Sequence, residues 1–300
     1  MRFLGEIIMR GRMAAIAVAA TTLLLSLILP PLSLVAAAAV ALVTLRMGFR
    51  EGLNTLVAST LAAGLLGATV LGNFMLPAMY GLMLWLPTWG IALVLRQSRD
   101  LGLTLEVATI AGVIGTLLFF VLHPDPTAFW YQRLELVLKP LWENAGMAMD
   151  PAKMEAQLTL IARYLTGVMA AGMVSSLALS ILLARWWQSQ LFNPGGFREE
   201  FLRLKLHRPL VYITVAFVVL AFLVQGKFSD TVNNTLIVLA IPYVVAGTAI
   251  LHAIFVSRGQ RALLIGMYVL MFFIPHIFLP IAVVGLADAW VDWRARFVLA

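Results

Sequence analysis

Residues 164–187 read YLTGVMAAGMVSSLALSILLARWW, and from Tyr164 to Ala184 no side chain carries a charge. A helix over that run rises about 32 Å, close to the ~30 Å hydrocarbon core of a bilayer. The Arg185-Trp186-Trp187 end then supplies a cation and two amphipathic rings, groups that settle at the headgroup level. A helix on the surface of a soluble core would show a polar face, and this one has none. The segment is therefore read as a membrane span, and the fold follows from how often the pattern recurs.

It recurs along the whole chain. The 300 residues are 62% hydrophobic and 12% charged, with mean hydropathy +0.97; a soluble domain is nearer a quarter charged. Working outward from 164–184, further apolar segments lie at 13–29, 32–45, 53–71, 74–95, 103–122, 210–225, 235–256 and 262–287. The first two are short and meet at Pro30-Pro31, which suggests a tight hairpin or a tilted pair. The last contains Pro275 and Pro280, each of which removes a donor and crowds the preceding turn. Two broken halves or a re-entrant pair are expected there. The fold class predicted is all-α, a polytopic transmembrane bundle of eight or nine spans, forming one integral membrane domain over 1–300. The N-terminus has the charged start of a signal sequence, but its apolar run is too long and leads straight into more spans, so it is read as an uncleaved first span.

Lysine and arginine set the orientation. With the N-terminus inside, fourteen fall in inner loops and five (Arg133, Lys139, Lys153, Arg163 and Lys227) in outer ones. That asymmetry places the N-terminus in the cytoplasm. It also accounts for the net charge of +7 without invoking nucleic acid. Arginine outnumbers lysine 17 to 4 in an alanine-rich chain, which suggests a bacterial source and hence the bacterial inner membrane.

Two polar stretches interrupt the spans. In the outer segment 123–163, Trp130, Leu134, Val137, Leu138 and Leu141 recur at helical spacing. Asp150-Pro151 reads as a helix start, and Met154, Leu158, Ile161 and Leu165 continue a stripe into the span at 164–184. One unbroken helix is expected from 151 to 187. The inner stretch 193–208 breaks at Asn193-Pro194-Gly195-Gly196. Glu199 and Glu200 then fall in the first turn of a new helix and Arg203, Lys205 and Arg208 follow, which suits the helix dipole. With Phe197, Phe201 and Leu204 on one face, a cytoplasmic amphipathic helix is expected. It is either a connector lying against headgroups or a docking element, with Phe197, Arg198, Phe201 and Leu204 as its contact residues.

Ionisable side chains inside spans are functional candidates by default, and here they are few. Glu106 and His252 lie near span ends, where snorkelling explains them. Asn73, Tyr80, Trp85 and His276 are the candidate substrate-binding residues, His276 because broken helices free backbone groups that can line a site. No G-x-x-x-x-G-K-[ST], H-E-x-x-H or G-x-S-x-G run occurs. With no cysteine and four scattered histidines, a metal centre, a cofactor and an enzymatic activity are not expected.

The run ARWWQSQLFNPGGFREEFLRLKL (184–206), the outer helical segment before it, and GLADAWVDWRAR (285–296) resemble the YybS-like family of bacterial predicted membrane proteins. That family is similar to the substrate-binding (S) components of energy-coupling factor transporters, small helical proteins that capture vitamins or metal ions. Those proteins borrow a membrane coupling subunit and two ATPases, which they contact through an Ala-x-x-x-Ala face. The resemblance implies uptake of a small solute with energy from such partners, and Ala15 and Ala19 match the docking face. Those components usually have six spans and lack so large an outer segment. The other function considered is a non-transporting membrane scaffold or assembly factor, acting through protein contacts that include a homo-oligomer. Small residues at four-residue spacing (Gly172, Ser176, Ser180, Ala184; Ser59, Ala63, Gly67) suit such contacts.

Overall fold

The computed structural model describes residues 2–144 and 150–297, and every regular element among them is helical. In chain order these are α1 (Arg2–Ile8), α2 (Arg12–Leu25), α3 (Leu32–Met47), α4 (Phe49–Leu71), α5 (Met75–Ser98), α6 (Leu101–Leu122) and α7 (Pro126–Asn144). There follow α8 (Pro151–Phe192), α9 (Gly196–Leu202), α10 (Arg208–Leu223), α11 (Lys227–Ser257), α12 (Arg261–Phe273), α13 (Phe278–Val291) and α14 (Trp293–Phe297), with a 3-10 turn at Pro275–Ile277. The expected outer segment corresponds to α7 and the start of α8; its residues 145–149 lie outside the described residues.

Five helices (α4, α5, α6, α8 and α11) are long and apolar enough to cross a bilayer, and α12 with α13 makes a sixth if the bent pair counts as one span. The eight or nine spans expected from apolar runs thus reduce to five or six by length. The difference lies in α2, α3 and α10, with 14, 16 and 16 residues. They reach only about 21–24 Å, short of the ~30 Å core. Hydropathy continues through the Ser26–Pro31 turn while the helix does not, so composition alone overstates the length of α2.

Contacts divide the chain into two compact units. Unit 1 is Met1–Ala108 with Ser175–Lys205, unit 2 is Thr109–Val174 with Leu206–Ala300, and the division falls inside α6 and α8.

In unit 1, α3 is the central helix. Residues Ala36 to Leu42 are fully buried, and α1, α2, α4 and α5 all pack on it. Apolar surface gains little by leaving lipid for protein, so helices in a membrane associate through close van der Waals packing, which small residues permit. The run Ala36–Ala39 provides small surface on every side of α3. Its shortness matters less for the same reason: a helix walled by protein need not match the bilayer. Trp85 of α5 is also fully buried and donates its indole N–H to the Ala36 carbonyl at 3.1 Å.

In unit 2, α11 is the spine. Gly247 of α11 and Gly285 of α13 let the two backbones touch: a Cβ on Gly247 would lie 2.0 Å from the Ile281 carbonyl oxygen, and one on Gly285 2.1 Å from that of Tyr243. The Tyr243 hydroxyl is 2.8 Å from Thr214 Oγ1 of α10, within a core that includes Leu210, Val211, Leu239 and Ala282. Nearer the start of α11, the buried Asn234 amide bridges to α8. Its Oδ1 accepts the Gly167 N–H at 2.6 Å, and its Nδ2 donates to the carbonyls of Arg163 (2.9 Å) and Asp230 (2.8 Å). Around it, Arg163 pairs with Asp230 at 3.4 Å, Trp130 Nε1 donates to Thr166 Oγ1 at 2.8 Å, and Lys227 Nζ donates to the Pro124 carbonyl at 2.9 Å. The outer segment is therefore tied down at one end of this unit.

The long helix expected from 151 runs unbroken to Phe192, with the Ala152 N–H donated to Asp150 Oδ1 at 3.1 Å. The break expected at Pro275 is also present: α12 and the following Pro275–Val291 segment bend by 119°. Within 193–208 the helix expected after the Asn193–Gly196 break covers only Gly196–Leu202, and 203–207 is not helical. The reason is a close approach: the Lys205 carbonyl oxygen lies 2.0 Å from where a Cβ on Gly102 would sit. That segment runs against the start of α6 instead of coiling.

Candidate functional site: an arginine-lined pocket

Two helix ends in unit 1 carry arginines that meet in one place. Arg46 lies in the last turn of α3, Arg96 in the last turn of α5, and Arg99 at the left-handed cap that ends α5 (φ 56°). Arg185 and Gln188 come from α8. Together with Leu45 and Leu95 they line a pocket of about 350 Å³, near the lower end of the range for small-molecule sites.

Each arginine is held differently. Arg96 Nη1 donates to the Leu45 carbonyl at 2.5 Å, satisfying an acceptor that the end of α3 leaves open. The Gln188 amide reaches the same oxygen at 3.5 Å. The Arg46 guanidinium stacks over the Phe192 ring at 4.1 Å, a cation–π contact. Arg185 forms a two-pronged pair with Glu200 of α9, its Nε 2.7 Å from Oε2, and also donates to Gln188 Oε1. Arg46, Arg96 and Arg99 have no carboxylate partner among the described residues. The lining thus holds four guanidinium groups, one of them neutralised by Glu200 from outside the lining. Such a pocket can bind and orient an anionic group. None of its lining side chains is a nucleophile or a general base.

The stretch that includes 193–208 contributes to this site through α9. Ser189 Oγ accepts the Phe197 N–H at 3.0 Å and donates to the Asn193 carbonyl at 2.8 Å, so α9 folds back on α8 and presents Glu200 to Arg185. Phe197 and Phe201 stack at 5.8 Å and are half-buried, Leu204 is buried, and Arg198 is exposed.

The candidate substrate residues lie elsewhere. Asn73 Oδ1 accepts the Leu76 N–H at 3.0 Å in the turn before α5, and the Tyr80 hydroxyl is 3.4 Å from Ser26 Oγ. Trp85 is spent on Ala36, as described above. These three belong to unit 1, whereas His276 is exposed at the bend of unit 2. None of the four lines the arginine pocket or the second pocket, a wholly apolar space of about 340 Å³ between α11, α12 and α13. Ala15 and Ala19 are buried within unit 1, where α2 packs on α3 and α4.

A family model described as a predicted membrane protein, DUF2232, matches residues 17–289. The chain belongs to that family. Membership agrees with the YybS-like resemblance and with the multi-pass, apolar helices of the structure. The DUF2232 match takes in every residue of the arginine pocket. No curated protein and no solved structure matches the chain. In this DUF2232 protein the pocket arginines served, in the sequence, only to count loop charges. The available signal was that RMGFRE (46–51) and LRQSRD (95–100) each carry two arginines for one acidic residue.

Proposed function

We propose that this is a binding protein of the bacterial inner membrane, N-terminus in the cytoplasm, that holds a small solute and depends on partner subunits for energy, in the manner of an S-component. What carries this reading is the polar, solute-sized pocket in a unit whose interior is otherwise packed with alanine, leucine and valine. A protein acting only through its outer surfaces has no need of such a pocket. The arginines that line it come from segments assigned to the cytoplasmic side, the side on which a solute taken up in this manner is released. Catalysis is not part of the proposal, because the lining supplies charge and hydrogen-bond donors without a reacting group. In this topology α2 and α3 form a hairpin in the membrane, α10 crosses with the aid of Val224 and Gln225, and α12–α13 turns back, keeping eight or nine apolar segments in the bilayer.

The tagged protein purified in mild detergent tests this by native mass spectrometry and identification of bound proteins. A retained small molecule, or a stoichiometric membrane partner carrying ATPases, is the expected result. Recovery with envelope proteins alone and with an empty pocket would reject solute handling in favour of the scaffold.

A further inference from the structure

We propose that the pocket between the ends of α3 and α5 binds a phosphate group. This rests on the reading of the pocket as a ligand site and names the ligand's chemistry. Charge decides it first. Four arginines less the one carboxylate of Glu200 leave three positive charges around the pocket. The C-terminal ends of α3 and α5 offset about half a charge each, so roughly two remain. A phosphate monoester carries about −1.5 to −2 at neutral pH and a phosphodiester about −1. The monoester balances that charge, and the diester leaves about one positive charge over.

Geometry narrows it further. Guanidinium groups present planar forks of donors suited to phosphate oxygens. Arg96 spends Nη1 on Leu45, while Arg46 is braced by the Phe192 ring and Arg185 by Glu200. These three are held on fixed supports, so little side-chain freedom is lost on binding. Arg99 occupies a left-handed backbone conformation, φ 56°, that residues other than glycine disfavour. It has no ion-pair partner among the described residues. Glycine would end α5 more comfortably. A charge kept at a strained position beside an uncompensated cationic pocket is accounted for by an anion that it contacts.

Two sources offer this chemistry: the headgroup of an anionic phospholipid in the leaflet, and a free phosphate or phosphorylated solute. The full-length protein is compared with Arg99→Gly and Arg46→Gln in nanodiscs. Arg99→Gly relieves the backbone strain and is expected to fold; Arg46→Gln removes a charge from the last turn of α3 and leaves the Gly48 cap intact. In phosphatidylcholine discs, calorimetric titration with inorganic phosphate reads the free anion. In discs containing phosphatidylglycerol, native mass spectrometry after extraction reads the retained lipid. Saturable phosphate binding, weakened about tenfold or more in both variants, identifies a soluble phosphate; that is the loss expected for one charge-assisted hydrogen bond. Phosphatidylglycerol retained by wild type and lost by both variants identifies the headgroup.

Binding of neither probe, or binding unchanged in both variants, overturns the phosphate assignment. If a molecule without phosphate is then found in the wild-type protein and lost from Arg99→Gly, the pocket is a ligand site and only its chemistry was misassigned. If nothing is bound at all, the solute reading falls with it.

Discussion

Asn234 shows what one buried amide does in an apolar medium. Two of its three hydrogen bonds join α11 to the Arg163–Gly167 turn of α8 and the third returns to Asp230 of α11 itself, with no exposure to solvent or lipid. Removing it leaves the Gly167 N–H and two carbonyls to find other partners. Asn234→Ala should therefore lower stability by about 1–3 kcal/mol. Asn233→Ala, which loses only a 3.3 Å contact to Ser229, should stay within about 0.5 kcal/mol. Unfolding in detergent, followed by circular dichroism, compares the two. In the sequence the adjacent asparagines look alike, and only the register of α11 against α8 separates them. Trp85 is a similar case. Its position in a span was evident, but the carbonyl that its N–H meets belongs to a helix 49 residues away in the chain.

At the scale of helices, the crossing of α11 and α13 depends on two glycines meeting each other's backbone. A leucine at Gly285 would drive Cβ to 2.1 Å from the Tyr243 carbonyl oxygen, and the helices would have to part. Gly285→Leu should then elute as aggregate, or lose about 3 kcal/mol, the upper end of the usual cost of a forced overlap in a packed core. A Cβ on Gly266 of α12 meets nothing within 4 Å, so Gly266→Ala should elute as wild type does. Size-exclusion chromatography of both variants distinguishes them. Apolar periodicity identified the helices themselves because a 3.6-residue repeat is local. It did not identify which small residues meet, and it set α9 too long, because the contact of Lys205 with Gly102 spans about a hundred residues of chain.

For the whole molecule, topology is the property most open to test, and the absence of cysteine makes it accessible. Single cysteines at Arg99, Gly195 and Gly259 should react with an impermeant maleimide only after the membrane is opened. Cysteines at Asn73 and Gly226 should react in intact cells. The 119° bend at Ile274 turns α13 back toward the side from which α12 starts, so Arg296→Cys should behave like Gly259→Cys. Labelling of Arg296→Cys from outside would require α12 and α13 to cross the membrane as one span, and would remove the re-entrant arrangement. Whichever side labels, the pocket gathers arginines from loops that are distant in sequence yet were counted on one side of the membrane. The same loop asymmetry that sets orientation also concentrates the charge.

Membrane residence, helical class, the long helix from Pro151, the break near Pro275 and the family were all legible along the chain. Each depends on composition or on neighbours within a few residues: backbone groups in lipid must be satisfied locally, which forces helix, and proline acts on its own turn. The number of full-length spans, the division into two units, the burial of α3 and the arginine pocket were decided by tertiary packing. In lipid, apolar residues gain little from facing one another rather than the bilayer. Hydropathy therefore marks what is in the membrane and carries almost no information about what packs against what. That is settled by where small residues let backbones meet and by where a few polar side chains find partners, and both require the folded chain.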